Sequence, residues 1–424
     1  MITLDGLAIK ALGERASSLI EGLNAFSSQE DGLTRLYLSK EHKEACAYVC
    51  AAMETVGLTA SIDALGTVHG LLKASEGNPS KRVLIGSHID TVRNGGSYDG
   101  NLGVVVGILA LEEIRKRGIK LPFDVEVLAF GDEEGVRFPT TLLSASAIAG
   151  VLDPSEFDLS DADGISVRDA LKALGGDADS ASALAYSRDE TLAYLEVHIE
   201  QGPVLESKDL PLGVVTAIAG ARRFSFTYKG VAGHAGTVPM GLRKDAAVSA
   251  AQLICEIDKV AKAEEQFSLV ATVGDVRIKP GAVNVIADEA MLSLDVRCED
   301  DECRQQAEAA IVAAANRIAS ENNTPVEIID YTAIDTVHCS KRLQTLAGEV
   351  LQDMGLPDFR LMSGAGHDGQ VMAQLCDLGM LFVRCKGGIS HNPLEHCSTE
   401  DMGYAVEALV RWLEKLGSHH SSES

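Results

Sequence analysis

A histidine and two carboxylates, His88, Asp90 and Asp99, stand in one short stretch directly after an apolar run. Two further segments repeat that design. Asp124–Gly131 reads as a buried strand that runs into Asp132, Glu133 and Glu134, and Ala193–Gly202 delivers His198 with Glu200 and Gln201. Imidazole and carboxylate groups converging from several strand ends are what a divalent metal ion needs, and a two-ion centre usually needs one carboxylate shared by both. His88, Asp99, Glu134, His198 and His391 would supply the ligands, with Asp99 as the shared one. Asp90, two residues beyond His88 on an extended segment, is expected to accept the other imidazole N–H and fix the ring. Glu133 is left free to take a proton from an attacking water. Taken singly, each of these is more often a core histidine or a solvated acid. Three segments of the same design weaken that alternative.

The elements that must position these groups follow from pattern. Lys81 to Ser87 reads as a short buried strand, which puts His88 and Asp90 at its C-terminal edge, where open α/β sheets place their ligands. The Asn94-Gly95-Gly96 turn returns Asp99 to that edge. Asn101 is expected to cap a helix with Val104, Ile108, Leu111 and Ile114 on its apolar face, stopped by Gly118. Residues 4 to 58 read as helical, 60 to 72 as strand, and 152 to 190 as acidic short surface helices. From 213 to 330 the pattern becomes an inserted α+β domain: strands at Phe224–Gly230, 267–278, 282–297 and Val326–Tyr331, with helices at Lys244–Ala263 and Cys303–Ser320. The chain then returns with a helix at 341–354, the loop Met362–Gly369, a strand at 379–383 and a helix at 399–416. Gly417–Ser424 is expected to be a disordered tail. The expected class is α/β: a mixed-sheet domain with helices on both faces, formed by 1–212 and 331–424 and interrupted by a smaller α+β domain at 213–330.

Composition excludes several classes. The 424 residues are 46% hydrophobic and 23% charged, which describes a globular protein, and no apolar run approaches the ~20 residues needed to span a bilayer. A net charge of −25, from 37 basic against 62 acidic residues, argues against nucleic acid as a partner. The N-terminus has no basic and apolar leader, and the nine cysteines form no regular framework. Reduced thiols and a cytoplasmic location are expected.

Six separated segments carry a family resemblance: Ser87-His-Ile-Asp-Thr-Val with Gly-Gly-Ser-Tyr-Asp-Gly100, Asp132-Glu-Glu-Gly-Val-Arg-Phe138, His198-Ile-Glu-Gln-Gly-Pro203, Gly233-His-Ala-Gly236, Gly364-Ala-Gly-His-Asp368 and Gly388-Ile-Ser-His-Asn-Pro393. In that order they resemble the amidase, hydantoinase and carbamoylase branch of the M20 metallopeptidase-like family. The resemblance implies His88, Asp99, Glu134, His198 and His391 as ligands of two divalent ions, manganese or zinc before cobalt or nickel, and Glu133 as general acid and base. It also implies that the mixed-sheet domain is a bimetal hydrolase domain and the inserted α+β domain its lid and dimerisation domain, with Asn284 and Arg297 at the substrate carboxylate, His234 polarising the scissile carbonyl from its own or a partner subunit, and a homodimer. Gln201 and His367 would touch the ureido group. A planar guanidinium suits a carboxylate, and a histidine donor aimed at a developing oxyanion lowers the barrier.

The implied reaction is hydrolysis of a ureido C–N bond in a small carboxylate, releasing ammonia and carbon dioxide. Asp132–Phe138 followed by Thr140-Thr141 resembles the allantoate amidohydrolases more than the carbamoylases. Allantoate therefore ranks first, an N-carbamoyl-L-amino acid second and ureidoglycolate third. A dipeptidase or aminopeptidase of the wider family is the first competing reading, and a catalytically dead metal-binding protein the second.

Overall fold

The computed structural model describes residues 6–30, 32–75, 81–264 and 268–423, and divides into two compact units. The first comprises the chain up to Thr216, Cys339–Leu361 and the residues from Gly366 onward. The second comprises Ala217–His338 with Met362–Ala365. Relative to the expected 213–330, the second unit runs on to His338, because its last long strand extends to Ile334 and a short one follows.

The first unit is a mixed sheet in the spatial order Thr59–Ile62, Val68–Leu72, Asp124–Phe130, Arg82–His88, Thr191–Ile199, Asp377–Val383 and Leu212–Ile218. Its four central strands, 124–130, 82–88, 191–199 and 377–383, are mutually parallel. Parallel strands covered on both faces read as continuous apolar runs, and Asp124–Phe130 is buried at every position. Successive side chains alternate between faces. Ala193, Leu195, Val197 and Ile199 enter the main core with Val83 and Ile85, which leaves Tyr194, Glu196 and His198 on the opposite face, with His88 by the same count. The register pairs Ile85 with Leu195, so three residues further on His88 falls level with His198.

The helices Gly6–Asn24, Asn101–Arg117, Lys341–Asp353 and Thr399–Glu423 supply much of that core, with Trp412 fully buried. The last helix continues into the expected tail as far as Glu423, Ser424 lying outside the described residues. Leu416 is buried and the His420 ring lies against Phe123, so apolar contact carries the helix past Gly417. The stretch 152–190 is also more than surface: Phe157, Val167, Leu171 and Ala181 form a second core with Tyr37, Leu65, Phe138 and Leu143. Its short helices begin at acidic or serine caps, Asp153, Ser166, Asp177 and Ser187, which explains its polar composition.

The second unit is a sheet in the order Val326–Ile334, Gly220–Lys229, Glu289–Cys298, Val270–Thr272, with Val276–Lys279 also on the Glu289–Cys298 strand. Its core joins Phe224, Phe226, Leu292, Leu294 and Val296 to Leu253 and Ile311 of the helices Ala246–Ala263 and Asp301–Asn322. Two expectations change here. The expected strand 267–278 is two short strands, its first residue lying outside the described residues. Residues 282–288 are loop, because their backbone groups bond to the Gly233–Ala235 turn and to Lys279 rather than continuing the ladder. Asn284 therefore lies on a loop.

Candidate active site

The site forms where the parallel strands end. His88 and His198 are each 1% exposed, and their rings stack at a centroid separation of 5.8 Å. His88 Nδ1 donates to the Asp90 backbone carbonyl at 3.0 Å, and His198 Nδ1 to the Ile199 carbonyl at 2.9 Å. A carbonyl can only accept, so both rings carry a proton on Nδ1. The Gly100 N–H donates to His198 Nε2 at 3.2 Å, which requires a lone pair on that nitrogen. Both Nε2 atoms face one oxygen of Asp99: His88 at 3.5 Å and His198 at 3.2 Å from Oδ1. The other oxygen faces His391, whose Nε2 is 3.3 Å from Asp99 Oδ2 and 3.6 Å from Glu134 Oε2.

Two groups able to hold a divalent ion thus share Asp99. One is His88, Asp99 and His198, the other Asp99, Glu134 and His391. The set is nitrogen and oxygen only, which suits zinc, manganese, cobalt or nickel. Two more such groups lie among the described residues, His88 with Glu133 and Glu134, and Glu196 with His198 and His367.

Glu133 and Glu134 follow Asp132, which turns the chain with a positive φ of 67°. Burial pushes the Glu133 carboxyl up to about 7 and, with Asp99 beside it, that of Glu134 up to about 8. Glu133 Oε2 is 3.9 Å from His88 Nε2. Gly100 is required between Asp99 and the following helix: its φ is +67° and a Cβ would stand 2.5 Å from the His88 ring.

Two expected roles are corrected by the geometry. The Asp90 carboxylate lies 3.7 Å from His88 Nδ1, too far for a hydrogen bond. It accepts instead from the backbone N–H groups of Glu133 at 3.2 Å and Glu134 at 3.3 Å. Asn101 does not cap its helix. Gly100 holds that position, and Asn101, already helical, accepts from the buried Arg35 guanidinium at 2.7 Å.

Gln201 donates Nε2 to Asp99 Oδ2 at 2.8 Å and to Ser390 Oγ at 3.3 Å, which leaves its Oε1 buried with no hydrogen-bond partner. His367 is 1% exposed, edge-on to His198 at 4.4 Å between centroids. Both therefore lie beside the candidate ligand groups.

The remaining expected residues belong to the second unit. His234 and Val285 form an isolated bridge, and Ala235 N–H donates to the Asn284 carbonyl at 3.0 Å, so His234 and Asn284 share one exposed corner. Arg297 is on the half-buried face of its strand, where Nε and Nη2 donate to the two oxygens of Asp295 at 2.8 and 3.1 Å and Nη1 to the Gly364 carbonyl at 2.6 Å. One N–H on each terminal nitrogen remains. Sequence reasoning missed Ser390, Glu395 and Arg35. Ser390 and Glu395 flank His391 within a few residues, yet nothing in their spacing separates them from loop residues facing water.

Residues 84–415 match the model of peptidase family M20/M25/M40, and the chain belongs to that family. It is 38% identical over 406 residues to an N-carbamoyl-L-amino acid amidohydrolase of Geobacillus stearothermophilus, which covers 95% of this chain and 98% of the relative. It is equally 38% identical over 438 residues to an allantoate deiminase of Arabidopsis thaliana, with 95% of this chain and 82% of the relative covered. A crystal structure of an amidase of the hydantoinase/carbamoylase family from Burkholderia multivorans matches with a TM-score of 0.89 at 28% identity, covering 95% of this chain and 97% of that one.

Proposed function

We propose that the protein is an amidohydrolase that cleaves a ureido C–N bond of a small carboxylate, with allantoate as the first-ranked substrate. The carrying observation is that Asp99 presents one oxygen to each of two histidine-containing ligand groups. His88, Asp99, Glu134, His198 and His391 would hold two divalent ions, manganese or zinc in first place. Such ions acidify a water and polarise a carbonyl. Glu133 takes the proton of the water that adds to the ureido carbon, and returns it to the nitrogen as the C–N bond breaks. Ammonia leaves, and the remaining carbamate loses carbon dioxide. The orphaned Gln201 Oε1 is an acceptor that a ureido N–H would satisfy.

The second unit supports a homodimer. His234 and Asn284 lie beyond the Lys229/Glu289 end of the central strand pair, whereas Arg297 sits near its other end. Eight residues of strand separate Glu289 from Arg297, roughly 25 Å at about 3.3 Å per residue. One small substrate cannot meet both ends in the same chain. Arg297 of one protomer as carboxylate anchor, with His234 and Asn284 of another at the carbonyl, resolves that distance.

The relatives named for allantoate and for N-carbamoyl-L-amino acids are equally similar, so the ranking rests on the Asp132–Thr141 segment. An N-carbamoyl-L-amino acid is the second reading. None of the nine cysteines is in a disulfide, in keeping with a cytoplasmic enzyme, and no helix of the described residues is long and apolar enough to cross a membrane. Ammonia release by the metal-loaded enzyme, compared across allantoate, N-carbamoyl-L-amino acids and ureidoglycolate, tests the proposal. The highest kcat/KM is expected for allantoate. A higher value for a carbamoyl amino acid would reverse the ranking, and no release from any of them would refute the activity.

A further inference from the structure

Asp99 is approached from a side that none of the ligand groups occupies. Glu395 is 5% exposed and, among the described residues, belongs to none of the groups able to hold an ion, yet its carboxylate hydrogen bonds go to the two loops that carry Asp99 and His391. Oε1 accepts the backbone N–H of Tyr98 at 2.7 Å and of Asp99 at 3.1 Å. Oε2 accepts the Ser390 hydroxyl at 2.8 Å. That hydroxyl also lies 3.0 Å from Asp99 Oδ2. A serine has one proton, so the two carboxylates compete for it. Gly96 fits the same arrangement: a Cβ there would stand 2.3 Å from both Cβ and Cδ of Glu395, so the glycine makes room for this side chain to cross.

A carboxylate buried next to another carboxylate costs free energy unless something compensates it, and packing alone gives no reason to keep it charged. We infer that Glu395 is a positioning residue for the shared ligand: it ties the Asp99 loop to the His391 loop and draws the Ser390 proton away from Asp99 Oδ2. The inference rests on the proposed role of Asp99 in holding two ions. Asp99 Oδ2 faces the group with Glu134 and His391, whereas Oδ1 faces the two buried histidines. Removing the Glu395 charge should therefore weaken one ion more than the other. In Glu395→Gln the amide oxygen can still accept from Tyr98 and Asp99, but the amide nitrogen faces Ser390, whose proton then goes to Asp99 Oδ2 and blocks the lone pair an ion would use.

The test is calorimetric titration of the chelator-stripped full chain with Mn2+, together with the melting temperature of each metal-free variant. Glu395→Gln is expected to lower the affinity for one of the two ions about tenfold or more, the range found when partners of metal ligands are removed, and to leave the other ion and the metal-free melting temperature nearly unchanged. Glu395→Gln/Ser390→Ala, which removes the competing proton, should regain most of the lost affinity. A purely structural role would instead lower the melting temperature and would not be rescued by the second substitution. Wild-type affinity for both ions in Glu395→Gln, or no recovery in the double variant, overturns the inference. If Glu395→Gln fails to fold, Gly96→Ala carries the test by pressing on the same side chain, and an unchanged Mn2+ isotherm there overturns it equally. Asp99→Asn separates the two levels: if it also binds both ions normally, the reading of the metal site fails, whereas if it loses them while Glu395→Gln does not, only the role of Glu395 fails.

Discussion

Asp90 holds both acids of the neighbouring strand exit: its two carboxylate oxygens accept the backbone N–H groups of Glu133 and Glu134, at 3.2 and 3.3 Å. Its own carbonyl takes the Nδ1 proton of His88. One residue thus aligns a candidate ligand histidine, a candidate ligand carboxylate and the candidate base. Hydrogen bonds to a charged group contribute about 1.5–3 kcal/mol each. Asp90→Ala should lower kcat/KM and Mn2+ affinity together, each about 10- to 100-fold, and Asp90→Asn, which keeps one acceptor oxygen, should lose less. Steady-state kinetics with metal titration checks this, and wild-type values in Asp90→Ala would show that the turn stands without it.

Glu133→Gln deletes a proton acceptor and spares every proposed ligand. Turnover should fall about 10²- to 10⁴-fold with two ions still bound and KM little changed. Glu134→Gln should first weaken metal binding, so that its activity recovers in part at high Mn2+. Exchange of the two outcomes would exchange the two roles.

The span between Asn284 and Arg297 predicts complementation. His234→Ala and Arg297→Ala should each be nearly inactive alone, Arg297→Ala mainly through a raised KM. Mixed heterodimers of the two contain one site with both residues intact and should regain activity up to about half of the wild-type level per heterodimer. Absence of any recovery after confirmed subunit exchange would place both residues in the same chain's site.

Away from the candidate metal site, His69 makes stability depend on pH. Burial alone would lower its pKa, but hydrogen bonds to Asp63 at 3.2 Å and Glu126 at 2.9 Å outweigh that and hold it at about 9, above its ordinary 6.5. A histidine shifted upward on folding contributes stability that is whole below about 6.5 and is lost as pH rises through about 9. The side chain is 12% exposed, so the contribution is on the order of 2–3 kcal/mol. Urea unfolding at pH 6 and pH 9.5 should show wild type losing this much more than His69→Gln. Parallel losses would mean that the network contributes nothing through its charge.

The sheet and the candidate ligand groups at its edge were legible because buried parallel strands leave an unmistakable pattern, and His88, Glu134 and His198 stand where apolar runs stop. The helix 101–117 was legible from periodicity, but its cap was not. A glycine with positive φ began it, and Asn101 was claimed by an arginine 66 residues earlier. Asp90 was placed beside the right partner and given the wrong bond, since i and i+2 spacing does not reveal whether carbonyl or carboxylate reaches the ring. Glu395 was invisible because two of its three partners, Tyr98 and Asp99, lie nearly 300 residues away. The stretch 152–190 hid a core because its caps are acidic and its apolar residues are sparse. Polar termini of short helices dominate such a composition.

Metal stoichiometry decides whether Asp99 serves two ions at once. Elemental analysis of chelator-stripped protein, reloaded with Mn2+ and freed of excess, should give two ions per chain for wild type and fewer than one for Asp99→Asn. A single ion per chain in the fully active wild type, or two ions retained in Asp99→Asn, would contradict the account.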